Sequence, residues 1–564
     1  MLIKITRFVL AATTIFFAGT ALAQITSIQS KQYEDGGFYE GTFKNGRQHG
    51  QGTYSLPSGY KYTGAWANGE ISGDGVAKFA DGSVYEGSFS NGKPEGSGTI
   101  VYANGGTYFG TLVGGKIDGQ GVATYEGGLH YEGGFRSAMH HGQGILTSDN
   151  GYSYEGSWVD GLKHGKGTIT YSDGAVYQGN IEKGLRTGTG ILTMPDGLTY
   201  VGTWKEDELT GEGTLTQVNG DEFTGSFINS LRNGLGKVIY ANGDIYEGNF
   251  QADHREGQGS FSRHDGYHYI GDWHKGRISG NGVVTYSDGS IYQGALVEDL
   301  AQGIGTITYP DGSTYEGSWK AGVINGAGKA TYPNGLVYQG GFQNAQNHGY
   351  GIMTFSGSYR YEGNWKEGKR DGSGQITYRD GTVYVGSFLN GQRSGHGQIK
   401  MKDGSKYAGE WREGQRDGSG QATYRDGTVY VGSFLNGQRS GQGHIKMKDG
   451  SKYKGEWREG KRDGSGQITY RDGTVYVGSF LNGQRSGHGH IKMKGGSKYA
   501  GEWREDEIHG WGTADYGNGD VYIGSFLEGK RQGRGTMRYA TGAVASGIWL
   551  DGTLRPKVIE EPTQ

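Results

Sequence analysis

The tripeptide Tyr-x-Gly returns every 23 residues along almost the whole chain. It starts at Tyr39 and runs to Tyr522 without an insertion; Phe223 takes the Tyr position in one repeat and Ala545 in the last, which makes 23 repeats. So strict a register indicates that every repeat is one supersecondary element stacked on its neighbours. We therefore expect one tandem array, although the length alone would suggest about three or four separate domains.

Within a repeat the apolar and glycine positions are spaced by two residues, which is the period of a β-strand and not of a helix. Tyr361, Gly363 and Trp365 form the first run, and Gly372 and Gly374 open the second. We expect both runs to be strands with one apolar face. Glycines on that face leave room for a ring from the neighbouring strand to lie across the backbone. The repeat motif residues are Tyr39, Gly41, Tyr62, Gly64, Trp66, Tyr361, Gly363, Trp365, Gly372 and Gly374.

Turn residues separate the runs. The first turn carries Asn-Gly, as in Asn45-Gly46, or Gly alone, and the second carries Asp-Gly or Asn-Gly, as in Asp81-Gly82. These residue types adopt positive φ at little steric cost. Each repeat is therefore predicted to be a β-hairpin that feeds the next, and the fold class to be all-β. One hairpin is marginal alone, so stability must come from the array.

The composition fits a repeat array better than disorder or collagen. The chain has 115 Gly and 40 Tyr but only 7 Pro, and its 12% aromatic residues give more surface to bury than disordered chains have. Collagen requires Gly at every third residue and abundant Pro. Cysteine is absent, so the array must be held by packing and hydrogen bonds without disulfides.

The stretch from Tyr361, Tyr-Glu-Gly-Asn-Trp-Lys-Glu-Gly-Lys-Arg-Asp-Gly-Ser-Gly, resembles the MORN repeat. The resemblance covers residues 39–555. It implies an elongated, twisted antiparallel sheet of successive hairpins, a solenoid-like ribbon roughly 200 Å long if each strand advances ~4.8 Å. It also implies a scaffold that binds protein partners or itself, with anionic-lipid binding credited to several relatives, and a pattern without catalytic residues.

The N-terminus has the features of a Sec-type signal peptide. Lys4 and Arg7 precede an apolar run, and an Ala-x-Ala site predicts cleavage between Ala23 and Gln24. We expect an exported product, periplasmic, cell-surface or secreted, from a Gram-negative bacterium, with no transmembrane span in the mature chain. The predicted organisation is residues 1–23 signal, 24–38 partial repeat and cap, 39–555 repeats and 556–564 polar tail.

Residues 361–498 are near-identical 46-residue double repeats and are basic. They hold 24 Lys and Arg against 14 Asp and Glu, a net +10, whereas the whole chain carries −3. If Lys400 and Lys402 lie on one strand, they share a face opposite Ile399 and Met401. The lysines predicted to bind an anionic partner are Lys400, Lys402, Lys406, Lys446, Lys448, Lys452, Lys492, Lys494 and Lys498.

Several partners fit such a lysine series. They include an anionic membrane leaflet, lipopolysaccharide phosphates and an acidic protein, including the acidic remainder of a second copy. The lysines also fit a purely structural role, because charged side chains on an open sheet prevent edge association. Nucleic acid is disfavoured for an exported protein with a pI near 6.6.

No catalytic, cofactor or metal site is predicted. Gly326-Ala-Gly328-Lys329-Ala330 lacks the Ser or Thr and the earlier Gly of a phosphate loop. His264 and His268 are four residues apart, but a hairpin lacks the helical geometry that makes this spacing a zinc motif.

A glycan-binding surface is a further hypothesis, because rows of aromatic rings form platforms for sugars. It depends on exposure: rings that line an open groove favour glycan binding, and rings that meet their neighbours are core.

Overall fold

The computed structural model describes residues 27–556, so the predicted signal peptide, its cleavage site and most of the C-terminal tail lie outside the described residues. The chain divides into two units between Phe261 and Ser262, here the N-terminal and C-terminal units. Strands are the only regular elements in residues 27–556. Within each unit they pair antiparallel in chain order, for example β2 with β3 and β32 with β33, numbered below. The prediction of an all-β chain of tandem antiparallel hairpins is confirmed.

The N-terminal unit contains β1 to β21, the last of which ends one residue past the division. They are, in order, Gln29–Gln32, Phe38–Lys44, Arg47–Ser55, Lys61–Ala67, Glu70–Lys78, Val84–Ser90, Lys93–Val101, Thr107–Val113, Lys116–Tyr125, Leu129–Arg136, Met139–Ser148, Ser153–Val159, Leu162–Thr170, Val176–Glu182, Leu185–Thr193, Thr199–Lys205, Glu208–Thr216, Glu222–Ile228, Leu231–Ile239, Ile245–Gln251 and His254–Ser262.

The C-terminal unit contains β22 to β47. They are, in order, His268–His274, Arg277–Thr285, Ile291–Val297, Leu300–Thr308, Thr314–Lys320, Val323–Thr331, Leu336–Gln343, Gln346–Phe355, Tyr359–Lys366, Lys369–Tyr378, Val383–Leu389, Gln392–Lys400, Lys406–Arg412, Gln415–Thr423, Val429–Leu435, Gln438–Lys446, Lys452–Arg458, Lys461–Thr469, Val475–Leu481, Gln484–Lys492, Lys498–Arg504, Glu507–Asp515, Val521–Leu527, Lys530–Arg538, Val544–Leu550 and Thr553–Leu554.

The hairpin of β32 and β33 shows the geometry of a repeat. Tyr384 faces Ile399 and Gly386 faces Gly397, and a bulge follows before Phe388. In the first turn both Asn390 and Gly391 have positive φ, 51° and 89°. A two-residue turn with positive φ at both central residues has a twist that matches the twist of the flanking strands. The Asn-Gly sequence therefore fixes the hairpin register.

The second turn links one repeat to the next. In the turn after β33, the amide of Met401 donates to the carbonyl of Ser405 at 2.8 Å, and the amide of Gly404 donates back to Met401 at 3.0 Å. The Asp403 carboxylate accepts from the amide of Ser405 at 2.9 Å. Gly404 has a φ of 90°, which explains the Asp-Gly signature at this place.

The ends of the described array differ from its middle. At the N-terminal end, β1 pairs with β2, and Asp35 and Gly36 form a turn of the same kind, in which Gly36 donates to Tyr33 at 3.1 Å. At the C-terminal end, β47 pairs with β46 at two positions only. The last hairpin is therefore incomplete within the described residues.

Candidate functional site

One face of each hairpin, here the ring face, is filled by side chains of the repeats themselves. Tyr361 is fully buried and its ring lies over Gly363 and Gly374, where a Cβ would overlap it. It meets Trp365 edge-on at 5.1 Å and Phe388 of the next repeat at 5.2 Å between ring centroids. Its hydroxyl donates to the carbonyl of Asn364 at 2.9 Å. Burial raises the pKa of Tyr361 to about 12.

The first repeats have the same arrangement. The Tyr39 ring lies over Gly41, and the Tyr62 ring lies over Gly64. Trp66 contacts both tyrosine rings, at 5.1 Å and 5.6 Å, and its indole N–H donates to the carbonyl of Gly52 at 3.2 Å. The rings thus link successive repeats in a column, in which Leu112, Ile181 and Leu296 take the place of the Trp or Phe in three repeats.

Two expectations about this face need correction. Gly372 does not belong to the glycines beneath the rings: its φ is 92°, it lies at the bulge, and a Cβ there would meet the side chain of Asn364. The rings are also closed to sugars, since Trp66 and Trp365 are only 7% and 5% exposed. Glycan binding on this aromatic face is therefore wrong for the described rings, because each ring packs against the next.

Sequence reasoning missed the position nine residues after Tyr, which caps the ring column. Arg439 lies over the Trp457 ring at 4.2 Å and donates to the carbonyl of Gly460 at 2.7 Å. Burial, together with Arg416 and Arg462, lowers the pKa of Arg439. Arginine holds this position in six consecutive repeats: Arg370, Arg393, Arg416, Arg439, Arg462 and Arg485. Their constant spacing was the available signal. These six cations of the basic stretch lie on the ring face.

The opposite face, here the outer face, carries the residues that alternate with the rings, such as those immediately after each Tyr. In the N-terminal unit it forms a shallow trough whose lining includes Glu155, Lys166, Ile191 and Val201. Large apolar side chains are exposed on this face. They are Phe109, Leu235, Ile304, Tyr350 and Trp511, and their exposed fractions lie between 54% and 70%.

Six of the nine predicted lysines form three cross-strand pairs on the outer face. Lys400 faces Lys406, Lys446 faces Lys452, and Lys492 faces Lys498 on the adjoining strand. Like charges directly opposite each other are destabilising. The strands on either side of the first two pairs offer Val and Thr at these positions, and the third pair has Asp515 opposite Lys498.

The remaining three lysines lie elsewhere, and the prediction that Lys402 continues the strand of Lys400 is wrong. The strand ends at Lys400, because the turn begins at Met401. Lys402 lies in that turn. The pKa of Asp380 is lowered by hydrogen bonds from Thr382 and, to a smaller extent, by Lys402. Lys448 and Lys494 have the same relation to Asp426 and Asp472. Each turn lysine thus has a carboxylate nearby. The strand pairs Lys400–Lys406 and Lys446–Lys452 have no carboxylate opposite them.

Within residues 27–556, no three His, Asp or Glu side chains lie close enough together to hold a metal ion. The same residues contain no helix with the length and apolarity of a membrane span.

The chain belongs to the MORN repeat family. The sequence model of the MORN repeat matches 22 segments, 39–59, 62–84, 85–107, 108–130, 131–151, 154–176, 177–199, 200–222, 223–245, 246–266, 269–291, 292–314, 315–337, 338–357, 361–383, 384–406, 407–429, 430–452, 453–475, 476–498, 499–521 and 522–544. The segment that begins at Ala545, the predicted twenty-third repeat, is not matched. No curated protein sequence matches the chain.

Solved structures with some likeness have low TM-scores. The TCP10 domain of Danio rerio CPAP in complex with a STIL peptide has 13% identity and a TM-score of 0.19, covering 44% of this chain and 94% of that one. The Drosophila melanogaster SAS-4 TCP domain with a proline-rich motif of Ana2 has 13% identity and a TM-score of 0.16, covering 38% and 99%. Virginiamycin B lyase from Staphylococcus aureus has 10% identity and a TM-score of 0.10, covering 53% and 96%.

Proposed function

We propose that this protein is an exported, non-enzymatic scaffold that binds protein partners on its outer face. The observation that carries the proposal is the difference between the two faces. The ring face is occupied by its own aromatic and arginine side chains, whereas the outer face is open and exposes large apolar residues such as Leu235, Ile304 and Trp511. Contiguous exposed apolar side chains are typical of protein-binding surfaces, and Ile191 and Val201 are exposed neighbours on this face.

The test compares two triple variants of the chain without residues 1–23. The face variant carries Ile304→Ser, Tyr350→Ser and Trp511→Ser. The control variant carries Tyr309→Ser, Tyr332→Ser and Tyr539→Ser, which are also exposed, by 36–39%, but lie in the second turns and not on the outer face of a strand. Partners captured from fractionated cells are identified, purified and titrated against each variant.

We expect the face variant to bind a purified partner at least ~10-fold more weakly, with the control variant unchanged, because apolar anchors dominate binding energy. Equal affinity of both variants for every purified partner would refute the outer face as the binding surface.

Export is part of the same proposal and rests on the sequence around Ala23 and Gln24. Mass spectrometry of the protein from its native host tests it. A mature chain that begins at Gln24 in the periplasmic or extracellular fraction supports export, and a full-length chain confined to the cytoplasm contradicts it.

The unneutralised lysine pairs favour a second candidate function, peripheral binding to anionic phospholipid or lipopolysaccharide. Lysines near an anionic surface attract it over about one Debye length, so the interaction is salt-sensitive. Flotation with phosphatidylglycerol vesicles or with lipopolysaccharide at 50 and 300 mM salt, roughly, tests it. Flotation that Lys446→Gln and Lys452→Gln abolish supports this candidate, and no flotation at either salt removes it.

A further inference from the structure

The N-terminal unit and the basic stretch carry nearly equal and opposite charge. Residues 27–261 hold 16 Lys and Arg against 27 Asp and Glu, a net −11, while residues 361–498 carry a net +10. Each region taken by itself therefore carries unbalanced surface charge.

Three acidic side chains of the N-terminal unit lie at a 46-residue spacing on the outer face, while Glu155 and Glu247 follow a repeat Tyr outside this spacing. Glu40, Glu86 and Glu132 each follow a repeat Tyr and are exposed. They lie on β2, β6 and β10, that is, on every fourth strand. On the neighbouring strands they face Ser30 and Thr53, Val76 and Thr99, and Val122 and Ile145. No cation is directly opposite any of the three.

The lysine pairs of the C-terminal unit have the same period. They lie on β33 and β34, on β37 and β38, and on β41 and β42, which is again every fourth strand. With ~4.8 Å between strands, both series have a spacing of roughly 19 Å. A second surface with carboxylates at this spacing would place one carboxylate between the two ammonium groups of each lysine pair. The carboxylate would relieve the repulsion between the two lysines.

A fourth lysine pair, Lys61 and Lys78, tests whether the two series are compatible. It lies on β4 and β5, midway between the strands of Glu40 and Glu86. When the three glutamates of one copy are aligned with the three lysine pairs of a second copy, Lys61 and Lys78 face the position midway between two of those lysine pairs. That position is held by the uncharged pair Thr423 and Val429. The alignment therefore creates no clash of like charge at that pair.

We propose that the outer face of the N-terminal unit of one copy binds the outer face of the basic stretch of a second copy. The proposal names a partner for the surface of the proposed function and rests on that function. Two copies in which each basic stretch binds the other copy's N-terminal unit form a closed two-fold dimer. Copies that make the contact only once retain one free surface of each kind and add further copies head to tail.

The experiment is sedimentation velocity of the chain without residues 1–23, at about 1–100 μM protein and at 50 and 300 mM NaCl, roughly. The acidic-face variant carries Glu40→Lys, Glu86→Lys and Glu132→Lys. The basic-face variant carries Lys406→Glu, Lys452→Glu and Lys498→Glu. Circular dichroism confirms that each variant keeps the strand signal of the wild type.

We expect the wild type to form concentration-dependent oligomers that salt weakens at least ~10-fold, since exposed charges are screened. Each variant alone should associate at least ~10-fold more weakly. A mixture of the two variants should associate again, because the unchanged basic stretch of the acidic-face variant can bind the unchanged N-terminal unit of the basic-face variant.

A matched control distinguishes this interface from an effect of net charge. Lys402→Glu, Lys448→Glu and Lys494→Glu change the same number of charges in the turns and should alter association less than ~3-fold. A wild type that stays monomeric at about 100 μM protein and low salt would overturn the inference. Equal effects of the basic-face variant and of the turn-lysine control would also overturn it. A monomer that still binds purified partners through Ile304, Tyr350 and Trp511 would leave the proposed function standing.

Discussion

Replacing Gly386 by Ala should destabilise its hairpin, although Ala is only one methyl group larger. Gly386 does not have a positive φ, so the backbone conformation itself admits Ala. A Cβ there, however, would lie 2.5 Å from the Cα of Gly397, 2.5 Å from the Tyr384 hydroxyl and 2.8 Å from the carbonyl oxygen of His396. Ordinary contacts of a Cβ are about 1 Å longer, so the ring and the facing strand must both move.

Inserting a methyl group into such a contact costs about 1–3 kcal/mol. At ~1.4 kcal/mol per tenfold, amide hydrogen exchange in β32 and β33 should become roughly 5- to 150-fold faster. Hydrogen exchange with mass spectrometry reports each hairpin separately, which a single melting temperature of a repeat array does not.

The matched control is Gly495→Ala. Gly495 has no positive φ, and a Cβ there has no atom within 4 Å. Exchange in β41 and β42 should change less than ~3-fold or slow slightly, because Ala reduces the entropy of the unfolded chain. In the repeat where Phe223 replaces Tyr, Gly225→Ala should match Gly386→Ala, since a Cβ at this equivalent position would lie 2.6 Å from the Cα of Gly236 and 2.9 Å from the Phe223 ring. Unchanged protection in β32 and β33 would refute the packing argument.

Four further outcomes are expected. Burial lowers the pKa of His140 from 6.5 to about 4, so NMR of labelled histidine should show its titration near pH 4. The stability that neutral His140 contributes should be lost as the pH falls from 6.5 through 4. Burial raises the pKa of Tyr430 to about 12, so absorbance at alkaline pH should show little ionisation of such tyrosines until the fold is lost above pH 10. Arg439→Ala should speed amide exchange in its hairpin by roughly 2- to 30-fold, because the contact with Trp457 is lost. Arg439→Ile should restore part of the protection, because Ile71 fills the same position in another repeat. Deleting residues 407–452, a whole double repeat, should preserve strand circular dichroism per residue, whereas deleting ten residues within it should not; equal losses would count against independent repeats.

The hairpins could be predicted from the sequence because their determinants are local. Asn390-Gly391 adopts two positive φ values in succession, and alternation over two residues places Tyr384 and Phe388 on one face whatever lies beyond the hairpin. The 23-residue period then requires that each hairpin meet an equivalent neighbour. Fold class, strand order and the ring positions followed from these features.

The charge arrangement could not be predicted, because it depends on which residues face each other across strands and where each strand ends. Lys400 and Lys402 look equivalent in the sequence, yet one faces Lys406 on a strand and the other lies in a turn near Asp380. Arg439 counts toward the same basic stretch but is held against Trp457 on the ring face.

The sequence by itself determined the repeat, its two strands and its turns, because glycine conformation and strand alternation act within a few residues. The tertiary structure alone decided which cations remain available on the outer face. The register between repeats places Lys446 opposite Lys452 and Arg439 over the Trp457 ring, and a register is a property of two strands together.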